Sequence, residues 1–341
     1  MKTHMNVPVF IPHLGCPHSC AFCNQKSVTN VQAAPSPESV AFSVGEMLST
    51  RGGRTAEIAF FGGSFTGIPR KEQEAYLRAV QPFLKRGEAE SIRLSTRPDC
   101  IDPETVSFLK AYGVKTVELG AQSMSDRVLR AAGRGHTAED TKRASALILE
   151  GGLRLGLQMM TGLPASTAAD EEETARQFVA LGAQDARIYP TVVFRDTALF
   201  ALLESGAYVP PTMEETVERA ATCLSVLEAG GVRILRIGLQ ETETLGASIA
   251  AGAYHPALGE LVRARTFRNK LEEAVCKLQK DAIFVYCGEK LTSLVLGQKR
   301  ENFLYLTEKY HIKIQLNRTE AGCFVTDGQT TIPIGKDEKY D

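Results

Sequence analysis

The stretch that decides the reading of this chain is Pro12-His13-Leu14-Gly15-Cys16-Pro17-His18-Ser19-Cys20-Ala21-Phe22-Cys23-Asn24. It places three thiols within eight residues, directly after an apolar run, Val7–Leu14, that reads as a strand. Thiolates this close in the chain can converge on one metal centre. A structural zinc site ordinarily takes four ligands in two separated pairs, and no second Cys-x2-Cys pair exists here. Three ligands on a 4Fe–4S cluster leave one iron open to a further ligand. Zinc with His13 or His18 as fourth donor, and chance clustering, are the alternatives. The other five cysteines, Cys100, Cys223, Cys276, Cys287 and Cys323, are scattered and read as small buried apolar residues, not as a disulfide framework.

Working outward, short apolar runs alternate with amphipathic stretches. Strands are expected at Ala56–Phe61, Ser91–Thr96, Lys115–Gly120, Leu153–Met160, Ala186–Val193 and Val232–Leu239. Helices are expected between them, one opening on a capping-box variant at Thr137 and Asp140. This alternation implies parallel strands with helical crossovers. The expected fold is α/β: a partial (β/α)6-type barrel over residues 1–245, a Gly/Ala/Pro-rich linker over 246–265, and a small α+β domain over 266–341. In such barrels the chemistry sits at the carboxyl ends of the strands.

The chain has 341 residues, 43% of them hydrophobic, enough for one large domain and a small one. Its net charge of −1 excludes a molecule that is basic as a whole, so any nucleic-acid site must be local. No apolar run approaches the roughly 20 residues that span a bilayer. The N-terminus has no signal-peptide core, and the expected location is cytoplasmic.

Each predicted strand end carries polar or glycine-rich residues: Gly62-Gly63-Ser64-Phe65-Thr66, Ser95-Thr96-Arg97-Pro98-Asp99, Glu118-Leu119-Gly120-Ala121-Gln122-Ser123, Gln158-Met159-Met160-Thr161-Gly162-Leu163-Pro164 and Arg187-Ile188-Tyr189-Pro190-Thr191. With the thiol loop and its Phe22, these strings resemble those of radical S-adenosylmethionine (SAM) enzymes. That resemblance implies a 4Fe–4S cluster held by Cys16, Cys20 and Cys23, and reductive cleavage of SAM to a 5′-deoxyadenosyl radical. It implies an electron donor such as a flavodoxin or ferredoxin. It places Gly62, Gly63, Ser64 and Thr66 at the methionine end of SAM, Ser64 standing where the usual residue is Glu. Phe22, Ser95, Arg97, Glu118 and Gln158 join them as candidate cofactor contacts. Glu118, Gln122 and Tyr189 are the candidate catalytic residues. Each of these strand-end groups can equally serve a structural hydrogen bond or ion pair. His136, in Arg134-Gly135-His136-Thr137, reads as a helix-start residue.

Within the superfamily, the set over residues 9 to about 240 is similar to the radical SAM domain of the Elongator catalytic subunit, which modifies the wobble uridine of transfer RNA (tRNA). No acetyl-CoA loop is recognisable in the rest of the chain, so the expectation is a relative without the acetyltransferase domain. Gly297-Gln298-Lys299-Arg300 lies between two predicted helices and resembles the G-x-x-G loop of a KH RNA-binding module, with Arg300 in place of the last Gly. These readings favour a radical SAM enzyme acting on RNA. The alternatives are an enzyme of the coproporphyrinogen-oxidase type acting on a small molecule, and a non-catalytic iron–sulfur RNA-binding protein.

Overall fold

The computed structural model describes residues 4–11, 16, 20–23, 34–240, 245–320 and 322–335. His13 and His18, the alternative zinc donors, lie outside the described residues. The chain divides into two compact units, Met1–Thr216 with Val226–Pro256, and Val217–Ser225 with Ala257–Asp341.

The first unit runs β1 (His4–Ile11), α1 (Pro37–Ser49), β2 (Thr55–Gly62), α2 (Arg70–Lys85), β3 (Ser91–Thr96), α3 (Pro103–Ala111), β4 (Val114–Gln122), α4 (Asp126–Ala131), α5 (Ala138–Glu150), β5 (Arg154–Thr161), α6 (Ala168–Ala180), β6 (Asp185–Pro190), β7 (Val192–Phe194), α7 (Ala198–Glu204), α8 (Met213–Ala229), β8 (Arg233–Ile237), α9 (Leu245–Ser248) and β9 (Ile249–Gly252). Seven strands form one parallel sheet in the order β1-β2-β3-β4-β5-β6-β8, curled into a partial barrel. Six strand–helix crossovers and a closing seventh strand thus realise the expected architecture. Helix starts follow local chemistry. Thr137 and Asp140 form the expected capping box at α5, and Thr167 with Asp170 and Thr212 with Glu215 do the same at α6 and α8.

The strand period of two sorts residues between the faces of the sheet. Ile58, Phe60, Ile92, Leu94, Val117, Leu119, Leu155 and Leu157 are buried in the apolar core, as are Leu77, Leu109, Ile148 and Phe178 from the helices. The alternate residues, Glu57, Arg93, Glu118 and Asp185, are charged and equally buried. They survive burial because they pair. Arg93 donates to Glu57 at 2.7 Å, to Glu118 at 2.8 Å and to Asp185 at 3.3 Å. Arg154 and Arg233 complete Asp185, and Arg187 completes Glu118. Gly156 makes the room: a Cβ there would lie 2.8 Å from Cγ of Glu118.

Two local features depart from the expectation. The stretch 246–265 is no linker. It holds α9, then β9, which pairs antiparallel with β7, and then the first turns of a long helix, α10 (Leu258–Leu278). Gly252 serves tight packing there, since a Cβ on it would lie 2.8 Å from the carbonyl oxygen of Thr191. The short helices α4 and α7 carried too few residues to show a period in the sequence.

The second unit continues from α10 with β10 (Ala282–Cys287), α11 (Thr292–Leu296), α12 (Glu301–Tyr310), β11 (Lys313–Arg318), β12 (Cys323–Thr326) and β13 (Thr331–Gly335). Its four-stranded sheet has the order β11-β10-β12-β13, with β10 and β11 parallel and the rest antiparallel. Phe267, Leu271, Val285, Phe303, Leu306 and Val325 share one apolar core.

Removing Arg93 would leave three buried carboxylates short of a partner. Arg93→Leu is expected to destabilise the protein by about 3–5 kcal/mol, read from the denaturant midpoint. An unchanged midpoint would show that the ion-pair network does not hold the barrel together.

Candidate active site at the carboxyl ends of the strands

The thiol loop follows β1 and is tied down at both sides. The Ala21 N–H donates to the carbonyl of Ala132 at 2.9 Å, and the Leu199 N–H donates to the carbonyl of Ala21 at 2.8 Å. Half-buried Phe22 packs against Val128, Ala132 and Leu163 on one side and the cluster of Val193, Leu199 and Tyr208 on the other. Phe22 therefore fixes the loop by packing.

Cys20 is buried, and Cys16 and Cys23 are exposed. Arg134 Nη1 donates to Cys20 Sγ at 3.3 Å while its Nη2 donates to the Gly120 carbonyl at 2.6 Å. Cys16 lies in the electrostatic reach of Arg134, Cys20 and Arg97, with the backbone N–H of Ser64 directed at it. Among the described residues, no three His, Cys, Asp or Glu side chains form a closed metal-ligand set. The fit to an iron–sulfur cluster rests on the donor chemistry. Three thiols share one loop, the ligand type that such clusters take. Desolvation pushes the Cys16 thiol up against the opposing pull of Arg134 and Arg97, so its thiolate is formed on binding metal.

The glycine motif stands beside this loop for a structural reason. Gly62 has φ of +109°, and a Cβ on it would lie 3.0 Å from the Ile11 carbonyl oxygen, at the end of β1. The Gly63 N–H donates to that same oxygen at 2.8 Å. The hydroxyls of Ser64 and Thr66 lie 2.9 and 2.6 Å from Thr96 Oγ1, and Ser64 also accepts from the Arg97 N–H. Both hydroxyls brace β2 against β3.

Glu118 is bonded to Arg93, Arg187 and Gln158 Nε2. Burial alone would raise its carboxyl, but Arg187 and Arg93 outweigh this and hold it below the usual carboxylate range. It is a fixed anion that positions Arg187. Gln158 also donates to Ser95 Oγ at 3.2 Å, so these three predicted residues meet in one network. Tyr189 stands next to Arg187. Burial pushes its phenol up against the pull of that guanidinium, so its O–H is retained at neutral pH. The Arg187 guanidinium lies 5.3 Å from the centroid of the Phe61 ring.

Above this layer the polar groups are unsatisfied. Arg97 is 1% exposed and pairs with Asp99 through Nε and Nη2, yet its Nη1 has no partner. The same is true of Gln122 Oε1, Arg134 Nε, His136 Nδ1, Thr161 Oγ1 and Thr191 Oγ1, all buried. These six atoms sit at or just beyond the carboxyl ends of four adjacent strands, β3 to β6. Buried polar groups without partners mark a place where a polar ligand completes the bonding. Sequence reasoning named Arg97 and Gln122 and gave no role to Arg134, Thr161 or Thr191. The only signal for Thr161 and Thr191 was position, at or one residue past a strand end; Arg134, beyond the short helix that follows β4, had none.

His136 donates through Nε2 to the Ala121 carbonyl at 3.2 Å, since a carbonyl only accepts and Nε2 must carry the proton. Burial, with Arg134 and Arg97 nearby, pushes its pKa down to about 4. It is therefore neutral in the folded protein. The unfolded chain binds a proton near the ordinary value, so stability is full above about pH 6.5 and falls as pH drops toward 4. His136→Gln, which keeps an N–H donor, is expected to remove an acid-side loss of about 3 kcal/mol, measured by unfolding at pH 7 and pH 4. Equal acid sensitivity of the two proteins would refute the buried neutral imidazole.

Residues 10–178 match the Radical SAM superfamily model, and residues 183–268 match the Radical_SAM C-terminal domain. A tRNA uridine(34) acetyltransferase of Methanocaldococcus infernus is 25% identical over 60% of this chain and 42% of its own length. Elongator complex protein 3 of Drosophila melanogaster is 28% identical over 61% of this chain and 41% of its own. The chain thus spans about two fifths of the length of these relatives. The heme chaperone HemW of Bacillus subtilis is 25% identical over 64% of this chain and 59% of its own. In fold, the chain is similar to the Elp3 structure from M. infernus with an N-terminal deletion, with TM-score 0.64 at 22% identity, over 80% of this chain and 64% of that one. The thiol loop at the rim of a parallel half-barrel and the two successive domain matches agree, and the chain belongs to the radical SAM superfamily.

Proposed function

We propose that this radical SAM enzyme modifies RNA, with a tRNA as its substrate. The observation that carries the reading is that its barrel is homologous to the radical SAM part of the tRNA uridine(34) acetyltransferases and of Elongator complex protein 3. Superfamily members use a 4Fe–4S cluster and SAM, which when bound supply a 5′-deoxyadenosyl radical that removes hydrogen from the substrate. Cys16, Cys20 and Cys23 hold the cluster. The Gly62-Gly63 backbone lets SAM approach the sheet. Arg97, Gln122, Arg134, Thr161 and Thr191 offer it the polar atoms left without partners. Glu118 keeps Arg187 oriented, and Tyr189 stands beside it as a neutral hydrogen-bond donor to the substrate. The reductant is a protein such as flavodoxin or ferredoxin, and the setting is the cytoplasm; among the described residues no helix is long and apolar enough to cross a membrane.

The second unit supports an RNA substrate. Its path β10–α11–loop–α12–β11 puts Gly297-Gln298-Lys299-Arg300 between two helices, as in a KH module. Gln298, Lys299 and Arg300 are exposed. Gly297, Lys299 and Arg300 have φ of +71°, +49° and +65°, so Arg300, in the place of the last glycine, holds a left-handed conformation that favours glycine. Asn302 fixes the exit of the loop by donating to the carbonyls of Ala264, Leu294 and Val295. The side chains of Lys299 and Arg300 are then presented to phosphate.

A small-molecule substrate is the second reading, favoured by the match to HemW. One assay separates the two: release of 5′-deoxyadenosine by the anaerobically reconstituted protein with SAM and dithionite, with and without tRNA. Release that rises with tRNA is expected; release indifferent to RNA would transfer the reading to a small molecule. The double variant Lys299→Ala, Arg300→Ala is expected to weaken tRNA binding and to lower the slope of log affinity against log salt by about 2. An unchanged salt slope would remove the loop from the RNA contact.

A further inference from the structure

The sheet of the second unit has two unlike faces. Ile283, Val285 and Cys287 on β10, with Cys323 and Val325 on β12, are buried in the core of that unit. The alternate residues point the other way, and there the centre of the sheet is aromatic. Tyr286 stands opposite Phe324 on β12 and opposite Asn317 on β11. Phe284 stands opposite Gln315. The rings of Tyr286 and Phe324 are 4.9 Å apart and inclined by 12°, a near-parallel stack. These three aromatic rings and Asn317 are half-buried, while Gln315 and Lys313 on the same face are exposed.

Cross-strand packing accounts for one aromatic pair on a sheet. It gives no reason for an outward face whose central strand offers only Phe284 and Tyr286 after Ala282, with amides beside both. Nor does it explain the charge. Among the residues at these register positions on the four strands none is acidic, and the single charge is Lys313. A face of flat rings, primary amides and one cation suits a ligand that is itself flat, edge-polar and anionic.

We propose that this face is a stacking platform for the bases of single-stranded RNA. Tyr286 and Phe324 are its stacking pair, Phe284 extends the aromatic surface, Gln315 and Asn317 meet base edges, and Lys313 meets phosphate. Nucleobases present a π-face whatever their sequence, and aromatic side chains on open sheets take them by stacking. The identity of the RNA rests on the tRNA reading above; the platform itself does not. The phosphate-facing loop at residues 297–300 is a separate feature of the same unit.

The chain contains no tryptophan, so Tyr286→Trp in the full-length protein gives a single tryptophan, excited at wavelengths tyrosine does not absorb, that keeps the stack. The probe is a single-stranded oligouridine of about 12 nucleotides, with a blunt RNA duplex of equal length as the control. The oligouridine is expected to quench the tryptophan emission and the duplex, whose bases are already stacked, to leave it unchanged. Phe324→Ala is expected to weaken oligouridine binding by about 5- to 150-fold without altering the salt slope, and Phe324→Tyr to restore it. Emission that stays unquenched at saturating oligouridine, as judged by anisotropy of a labelled strand, would overturn the platform, as would wild-type affinity in Phe324→Ala. RNA-stimulated 5′-deoxyadenosine release with unquenched emission sinks the platform alone. Quenched emission with RNA-indifferent release sinks the tRNA reading alone.

Discussion

Three buried carboxylates in the barrel are matched by one buried guanidinium group, Arg93, one mostly buried, Arg187, and two exposed ones, Arg154 and Arg233, and the arrangement of the site follows from this matching. Arg93 is the hub, because it alone touches Glu57, Glu118 and Asp185. Pairing is a condition for burying such charges at all, since isolated ions in an apolar interior cost several kcal/mol each. The network dictates neighbours that would otherwise look arbitrary. Gly156 is glycine because Glu118 needs its space, and Arg187 is held at the rim because Glu118 leaves it a carboxylate oxygen.

The barrel is thus divided along its axis. In the lower part polar atoms find one another, and structure is what they produce. In the upper part Arg97, Gln122, Arg134, His136, Thr161 and Thr191 each keep one atom without a partner. A protein does not bury such atoms to stabilise itself, as each lost hydrogen bond costs about 1–3 kcal/mol. The boundary between satisfied and unsatisfied layers lies between Glu118 and Gln122 on a single strand, β4. Two residues that the sequence placed together as catalytic candidates therefore stand in different layers: the Glu118 carboxylate is bonded on both oxygens, and Gln122 keeps its Oε1 without a partner.

Most of the fold was legible because its signals are local. Strand periods of apolar residues located every strand of the large sheet, and Thr137 with Asp140 announced a helix start by their spacing alone. The thiols were legible because metal chemistry demands proximity in the chain. Side-chain commitments were not legible. Ser64 and Thr66 read as ligand contacts, and nothing in their spacing showed that both hydroxyls also bond Thr96, some 30 residues away. Likewise 246–265 read as a linker because Gly and Ala carry no period, whereas β9 is defined by a partner strand about 55 residues earlier. Sequence reports what a residue can do; the fold adds which neighbours it meets.

The order of strands in the large sheet is also the order of the chain, from β1 to β6 and then β8. Each strand therefore adds to an edge that the preceding residues have made, and none must wait for a segment far downstream. Chains that grow by such near-neighbour closures face small loop entropies at each step. The barrel can accordingly assemble from its N-terminal side as the polypeptide leaves the ribosome, with β1 as one fixed edge and the other edge advancing strand by strand.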